Sequence, residues 1–399
     1  MKYISGKPTL SLTKFLPDDH RSLDIFPFNQ KDCYYFYSSR YALAGAVRAL
    51  GIKAGDTVFI PAYNCGVEID PFLKSKINTL FYKIRRDFSP DLNDVSNKMN
   101  SGVRAIMVTH FLGFPQPIDE IRKICIEKKI LLIEDCAHAF LSNCQGQPLG
   151  SFGDAAFFSV LKTLPVPNGG LLVLGNKFFE GKQNIKSPNL IATLLYTAQL
   201  LKLRTDNNKH PFKEQFIRIM NNGLFISAEF LKMFLLLLKK TVKTGAHNFV
   251  RPDSYLFIDE LADWSMSSLS RNIIRNTDFQ KIKDIRQRNF NYLLKHFLAS
   301  DNIHLPFREL PNGVCPLFFP IILKSPELRE NLYQSLKERG VVTHPWWKRF
   351  HPAVPWEEFP DAVFLKQRLF GLPIHQDLTL EHMDRIIEEF EKAYKKSRE

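Results

Sequence analysis

Residues Ile130–Phe140 read ILLIEDCAHAF, and residues Gly153–Gly170 read GDAAFFSVLKTLPVPNGG. In the first stretch an apolar run, Ile130–Ile133, ends on Glu134 and Asp135; in the second, Ala155–Ser159 leads into Lys162. Short apolar runs bounded by polar residues suit strands covered on both faces, and in open α/β sheets ligands collect beyond the carboxyl ends of such strands. A carboxylate and an amine at the exits of two neighbouring strands are therefore candidate site residues.

One chemistry uses both groups. Pyridoxal phosphate (PLP) is held covalently by a lysine amine while a carboxylate keeps its ring nitrogen protonated, so that the ring accepts electrons from a substrate. The ordinary alternatives are a solvated lysine and an aspartate that caps the helix after its strand.

The chain of 399 residues is long for one compact unit and predicts two domains. Its 45% hydrophobic and 24% charged residues are those of an ordinary globular protein. A net charge of +13 favours anionic partners, but the Lys and Arg residues are spread along the chain with no basic run, which argues against a nucleic-acid arm. The six cysteines form no CxxC pair and no cluster with histidine at zinc spacing, so no metal site is expected. MKYISGKPTL has no apolar core of a secretory signal, which gives a cytoplasmic expectation.

Around the opening stretch, strands and helices alternate. YYFYSSRYALAGAVRALGIKAGDTVFIP reads as an aromatic strand, a Ser-Ser turn, a helix over 40–50 and a strand over 57–60. The turn Ser38-Ser39-Arg40 opens that helix, where free N–H groups favour a phosphate; a plain serine N-cap is the alternative. Strands over 79–84 and 104–110 and a helix in PIDEIRKICIEKK complete βαβ crossovers, hence a mostly parallel sheet. Residues 185–255 break the rhythm with two apolar helices, 191–203 and 224–240. The second is read as a buried or interface helix, with peripheral membrane contact as the alternative. A long helix from Asp278 leads to a C-terminal lobe, where Trp346 and Trp347 either line a cleft or pack at the surface.

Taken in order, these segments resemble the DegT/StrS family of PLP-dependent sugar aminotransferases. SSRYAL with GDTVFIP is similar to that family's SGT-x-AL and GDEV-x-VP segments, IEDCAHAF to its EDAAQA segment, and LFGLPIHQDLT to its LPIHP-x-LT stretch. The resemblance implies an α/β protein of PLP-dependent transferase fold type I. It would have a mostly parallel mixed sheet flanked by helices in a large domain, and a smaller C-terminal α+β domain. The expected division is an N-terminal arm over 1–30, a large PLP-binding domain over 31–277 with a helical insertion at 185–255, and a small domain over 278–399.

By the same resemblance, Lys162 is the lysine that bonds the cofactor and shuttles a proton, Asp135 the partner of the ring nitrogen, and His138 the contact to the 3-oxygen. Ser39, Arg40 and Ser159 match phosphate-binding positions. Lysine at 162, where dehydrating relatives carry histidine, implies transamination. The implied protein is a cytoplasmic homodimer. It moves an amino group from an amino acid, glutamate, to a nucleotide-linked keto sugar for a surface polysaccharide or glycosylated metabolite. Two rivals stand beside it: a PLP enzyme on a non-sugar or lipid-linked acceptor, and a non-catalytic membrane- or ligand-binding relative. The substrate-binding residues are not assigned from sequence.

Overall fold

Between Cys33 and Leu174 the chain lays down a single seven-stranded sheet, joined by helices in the βαβ pattern that the alternating sequence predicts. The computed structural model describes residues 3–11, 23–99, 102–175, 186–205, 255–299 and 303–397. In chain order the large-sheet elements are β1 (Cys33–Phe36), α1 (Ser39–Ala49), β2 (Thr57–Pro61), α2 (Asp70–Lys74), β3 (Asn78–Tyr82), α3 (Leu92–Lys98) and β4 (Val103–Thr109). These are followed by α4 (Ile118–Lys128), β5 (Leu131–Asp135), a small hairpin of β6 (Asn143–Cys144) and β7 (Gln147–Pro148), β8 (Ala155–Ser159) and β9 (Gly170–Leu174).

The strands lie in the order β1-β9-β8-β5-β4-β2-β3. Neighbours from β8 to β3 are parallel, and β9 runs antiparallel to both β8 and β1. Only β9 is reversed, so the carboxyl ends of the other six strands and the amino end of β9 share one edge. Every residue of β5, β8 and β9 is buried, which is why their sequences run apolar without alternation. Register fixes the exits: Thr109 pairs with Asp135, Asp135 with Phe157, and Ser159 with Gly170.

The rest of the described chain comprises α5 (Leu190–Thr205), α6 (Ser268–Arg275), α7 (Phe279–Phe297), β10 (Phe319–Ile322), α8 (Pro326–Glu338), β11 (His344–Pro345), α9 (Pro360–Arg368), β12 (Leu369–Leu372) and α10 (Leu380–Lys396). A second, antiparallel sheet has the order β10-β12-β11. Phe290 and Phe297 of α7 and Phe390 of α10 meet Phe319 of β10 or one another at ring distances of 5.1–5.5 Å, closing that lobe's core. The N-terminal segment docks here: Ile4 bridges Val341, and Thr9 donates through its N–H and hydroxyl to Asp377 Oδ2 at 2.6 and 2.8 Å. The apolar helix expected over 224–240 lies outside the described residues. No described helix is long and apolar enough to cross a membrane.

Candidate active site

The shared sheet edge gathers the site. Asp135 ends β5 only 5% exposed, and both of its oxygens accept protein hydrogen bonds. The Ala137 N–H donates to Oδ1 at 2.9 Å and the Thr109 hydroxyl to Oδ2 at 3.1 Å. The first bond closes a local turn; no helix follows between β5 and β6, so the capping alternative is not met. Burial pushes the Asp135 carboxyl up from 3.8 to about 6, and the nearby Glu68 carboxylate adds to the rise; the positive charge of Lys162 opposes it. A cation brought against this carboxylate would restore its ionised form.

Lys162 closes the 3-10 turn Val160–Lys162 after β8 and is half-buried. Among the described residues its amine has no hydrogen-bond or ion-pair partner, and Nζ lies 6.0 Å from the centre of the Trp346 ring. Its charge reaches Asp135, His138 and Cys65. The next residue is held from the C-terminal lobe. Gln376 Nε2 donates to the Thr163 carbonyl at 2.9 Å, and Gln376 Oε1 in turn accepts from Arg286 Nε at 3.2 Å.

His138 is buried with its ring 5.2 Å from Trp346 and 5.3 Å from Trp347. Its Nδ1 accepts from the Leu112 N–H at 3.3 Å, which leaves the ring proton on Nε2. Burial, and then the charge of Lys162, holds His138 well below the usual histidine range, so it stays neutral.

At the start of α1, Ser38 is buried and its Oγ has no hydrogen-bond partner among the described residues. Gly170 lies so close that an added Cβ would come within 2.3 Å of the Ser38 carbonyl carbon, so only glycine lets β9 meet this turn. An unpartnered hydroxyl at a helix amino end, beside the Ser39 hydroxyl, is the donor set that an anionic group fits. Arg40 is buried and uses Nη1 on the Leu256 carbonyl at 2.8 Å. Ser159 is buried at the end of β8, opposite Gly170. A buried acid beside an amine and a neutral histidine, with this cradle on the same edge, fits the donor needs of PLP.

Several residues here carried no sequence flag. Glu68, 5% exposed, accepts from the Cys65 N–H and thiol at 2.9 Å each and bears electrostatically on Asp135. It follows β2 by a few residues, so the strand-exit rule that selects Asp135 could have found it. Lys366, 1% exposed, had no such signal. Glu134, beside Asp135, is structural: the N–H groups of Gly150, Phe152 and Gly153 donate to it at 2.6–2.8 Å. With His110 and Cys136 it puts ligand-type atoms within 4.8 Å of one another. However, His110 Nδ1 accepts from the Gln116 N–H at 3.2 Å, so its Nε2 proton faces Glu134 Oε2 at 3.1 Å, and the His110–Glu134 pair is already satisfied.

Residues 29–184 match the model of the DegT/DnrJ/EryC1/StrS aminotransferase family. The chain is 30% identical to GDP-perosamine synthase of Vibrio cholerae over 164 residues, 40% of this chain and 45% of that protein. It is 23% identical to the dTDP-4-dehydro-2,3,6-trideoxy-D-glucose 4-aminotransferase of Saccharopolyspora spinosa over 366 residues, 90% of this chain and 83% of that one. It thus spans less than half the length of the GDP-perosamine synthases it matches. A Streptococcus pneumoniae protein solved in a PLP form shares the fold at a TM-score of 0.63 and 17% identity, over 98% of this chain and 94% of that one.

Proposed function

We propose, from the premise that the chain belongs to the DegT/DnrJ/EryC1/StrS aminotransferase family through residues 29–184, that it is a PLP-dependent aminotransferase acting on a nucleotide-linked keto sugar. The observation that carries this is the meeting of Asp135 and Lys162 at the exits of adjacent parallel strands, close enough for the amine's charge to act on the acid. Bound PLP supplies the electron sink that lets a bond at the donor's α carbon break. The chain's residues do the rest. Lys162 Nζ would hold the cofactor and would carry the proton between carbon centres as a general acid and base. Asp135 would hold the proton on the cofactor's ring nitrogen, and the Nε2 proton of His138 would be donated to its 3-oxygen. Ser38, Ser39 and Ser159, with Arg40, form the phosphate cradle. Glutamate is the donor, the acceptor's product enters a surface polysaccharide or glycosylated metabolite, and the enzyme works as a cytoplasmic homodimer.

Incubation of the PLP-loaded protein with L-glutamate, followed by a coupled assay for 2-oxoglutarate, tests the donor half of this reading. Adding GDP-, dTDP- and UDP-linked 4-keto sugars with mass detection of the amino sugar tests the acceptor half. Formation of 2-oxoglutarate and of one amino sugar is expected. If no amino acid yields its keto acid, the aminotransferase reading is wrong.

A further inference from the structure

Lys366, on α9, is a buried lysine that the reaction above does not use. Its amine meets three backbone carbonyls: Asn64 at 2.7 Å, Arg349 at 2.6 Å and Trp347 at 3.4 Å. The rings of Trp356 and Phe350 flank it at 4.9 and 5.3 Å. Three acceptors match the three N–H groups of an ammonium, and two aromatic faces suit its charge. No carboxylate lies within ion-pair distance among the described residues; Glu68 acts on it from further off. Burial pushes its amine down to about 8, with Glu68 and Cys65 holding it up and Arg349 adding to the fall, so it remains protonated at neutral pH.

The carbonyls come from separate parts of the molecule. Asn64 follows β2 at the site edge, whereas Trp347 and Arg349 belong to the loop after β11 that carries Trp346 and Trp347. The same loop touches the large sheet's connections elsewhere: Trp347 lies 4.9 Å from Tyr63, and His351 Nε2 is 3.2 Å from Asp70 Oδ1. Its tryptophans flank His138, and Trp346 faces Lys162.

We propose that the Lys366 ammonium is a pin joining α9, the β2 exit and the tryptophan loop, and that it positions Trp346 and Trp347 as the wall facing Lys162. Lys366 is a positioning residue that touches neither cofactor nor substrate. The pin itself rests only on the cage, so it is tested on cofactor-free protein.

Lys348 is exposed and Arg349 half-buried, so trypsin can report release of the loop at two defined bonds. Native proteolysis mapped by mass spectrometry is run on wild type, Lys366→Met and Lys366→Ala, with urea midpoints measured alongside. Lys366→Met keeps the side-chain length without charge; Lys366→Ala opens a cavity for an added amine. Both variants are expected to be cut after Lys348 and Arg349 at least tenfold faster than wild type, with other sites changed less than twofold. Millimolar n-propylammonium should return Lys366→Ala to within twofold of wild type, and n-propanol should not. A general loss of stability would accelerate cleavage everywhere and would not respond selectively to the ammonium. Wild-type resistance in Lys366→Met, or equal rescue by n-propanol and n-propylammonium, overturns the proposal. Either result leaves the reading of Lys162 and PLP untouched.

Discussion

Asp135→Asn separates what the site does for catalysis from what it costs the fold. In the cofactor-free protein the Asp135 carboxyl is raised from 3.8 to about 6, chiefly by burial. A raised value means that the folded protein holds this proton more tightly than the unfolded chain does. The associated stability is fully present below about pH 3.8 and is lost as pH rises through about 6. At about 1.36 kcal/mol for each pH unit, the ionised group costs the fold about 3 kcal/mol at pH 8 and less than about 1 kcal/mol at pH 4. Asparagine has no such penalty. Its oxygen can accept from the Ala137 N–H, and its amide can donate to the Thr109 hydroxyl, which turns to accept. Urea unfolding of cofactor-free protein should therefore find Asp135→Asn more stable than wild type by about 3 kcal/mol at pH 8, shrinking to less than about 1 kcal/mol at pH 4. Added PLP should stabilise wild type more than the variant, because its ring cation meets a carboxylate only in wild type. A variant less stable at pH 8, or shifted equally at both pH values, would refute the reasoning.

Ser38→Ala removes the unpartnered hydroxyl at the start of α1. A hydrogen bond to a charged group is worth about 1.5–3 kcal/mol, so PLP affinity by absorbance titration should fall about 10- to 100-fold. Affinity for pyridoxal, which lacks the phosphate, should stay within a factor of three; equal losses for both ligands would remove Ser38 from the cradle. Glu134→Gln puts an amide where three backbone N–H groups and His110 all donate, and should lower stability by about 3–5 kcal/mol in urea. A cost below about 1 kcal/mol would mean that this carboxylate does not organise the 150–153 loop.

Legibility in the sequence follows from the physics of each feature. The parallel strands announced themselves because burial on both faces demands unbroken apolar runs, and β5 and β8 bracket Asp135 and Lys162 as those runs imply. His138 came only through resemblance, and its packing between Trp346 and Trp347 is a long-range fact with no local pattern. Lys366 sits in PDAVFLKQR, where a lysine on a helix reads as solvated. What buries it is a set of backbone carbonyls, and backbone acceptors carry no residue signature. The Gln376 and Arg286 grip on Thr163 escaped for the same reason. The sheet order was equally silent: alternation of strands and helices implies parallel pairing, but not that β1 would reach the edge beside β9.

The central claim is that Lys162 is the amine that binds the cofactor. Purified wild type and Lys162→Ala are mixed with PLP, scanned in the visible range, reduced with borohydride and digested for peptide mass. A long-wavelength band and a reduced pyridoxyl adduct on the peptide containing Lys162 are expected, both missing from Lys162→Ala, with the wild-type band bleached by glutamate. An adduct on another lysine, or a band that persists in Lys162→Ala, would contradict it.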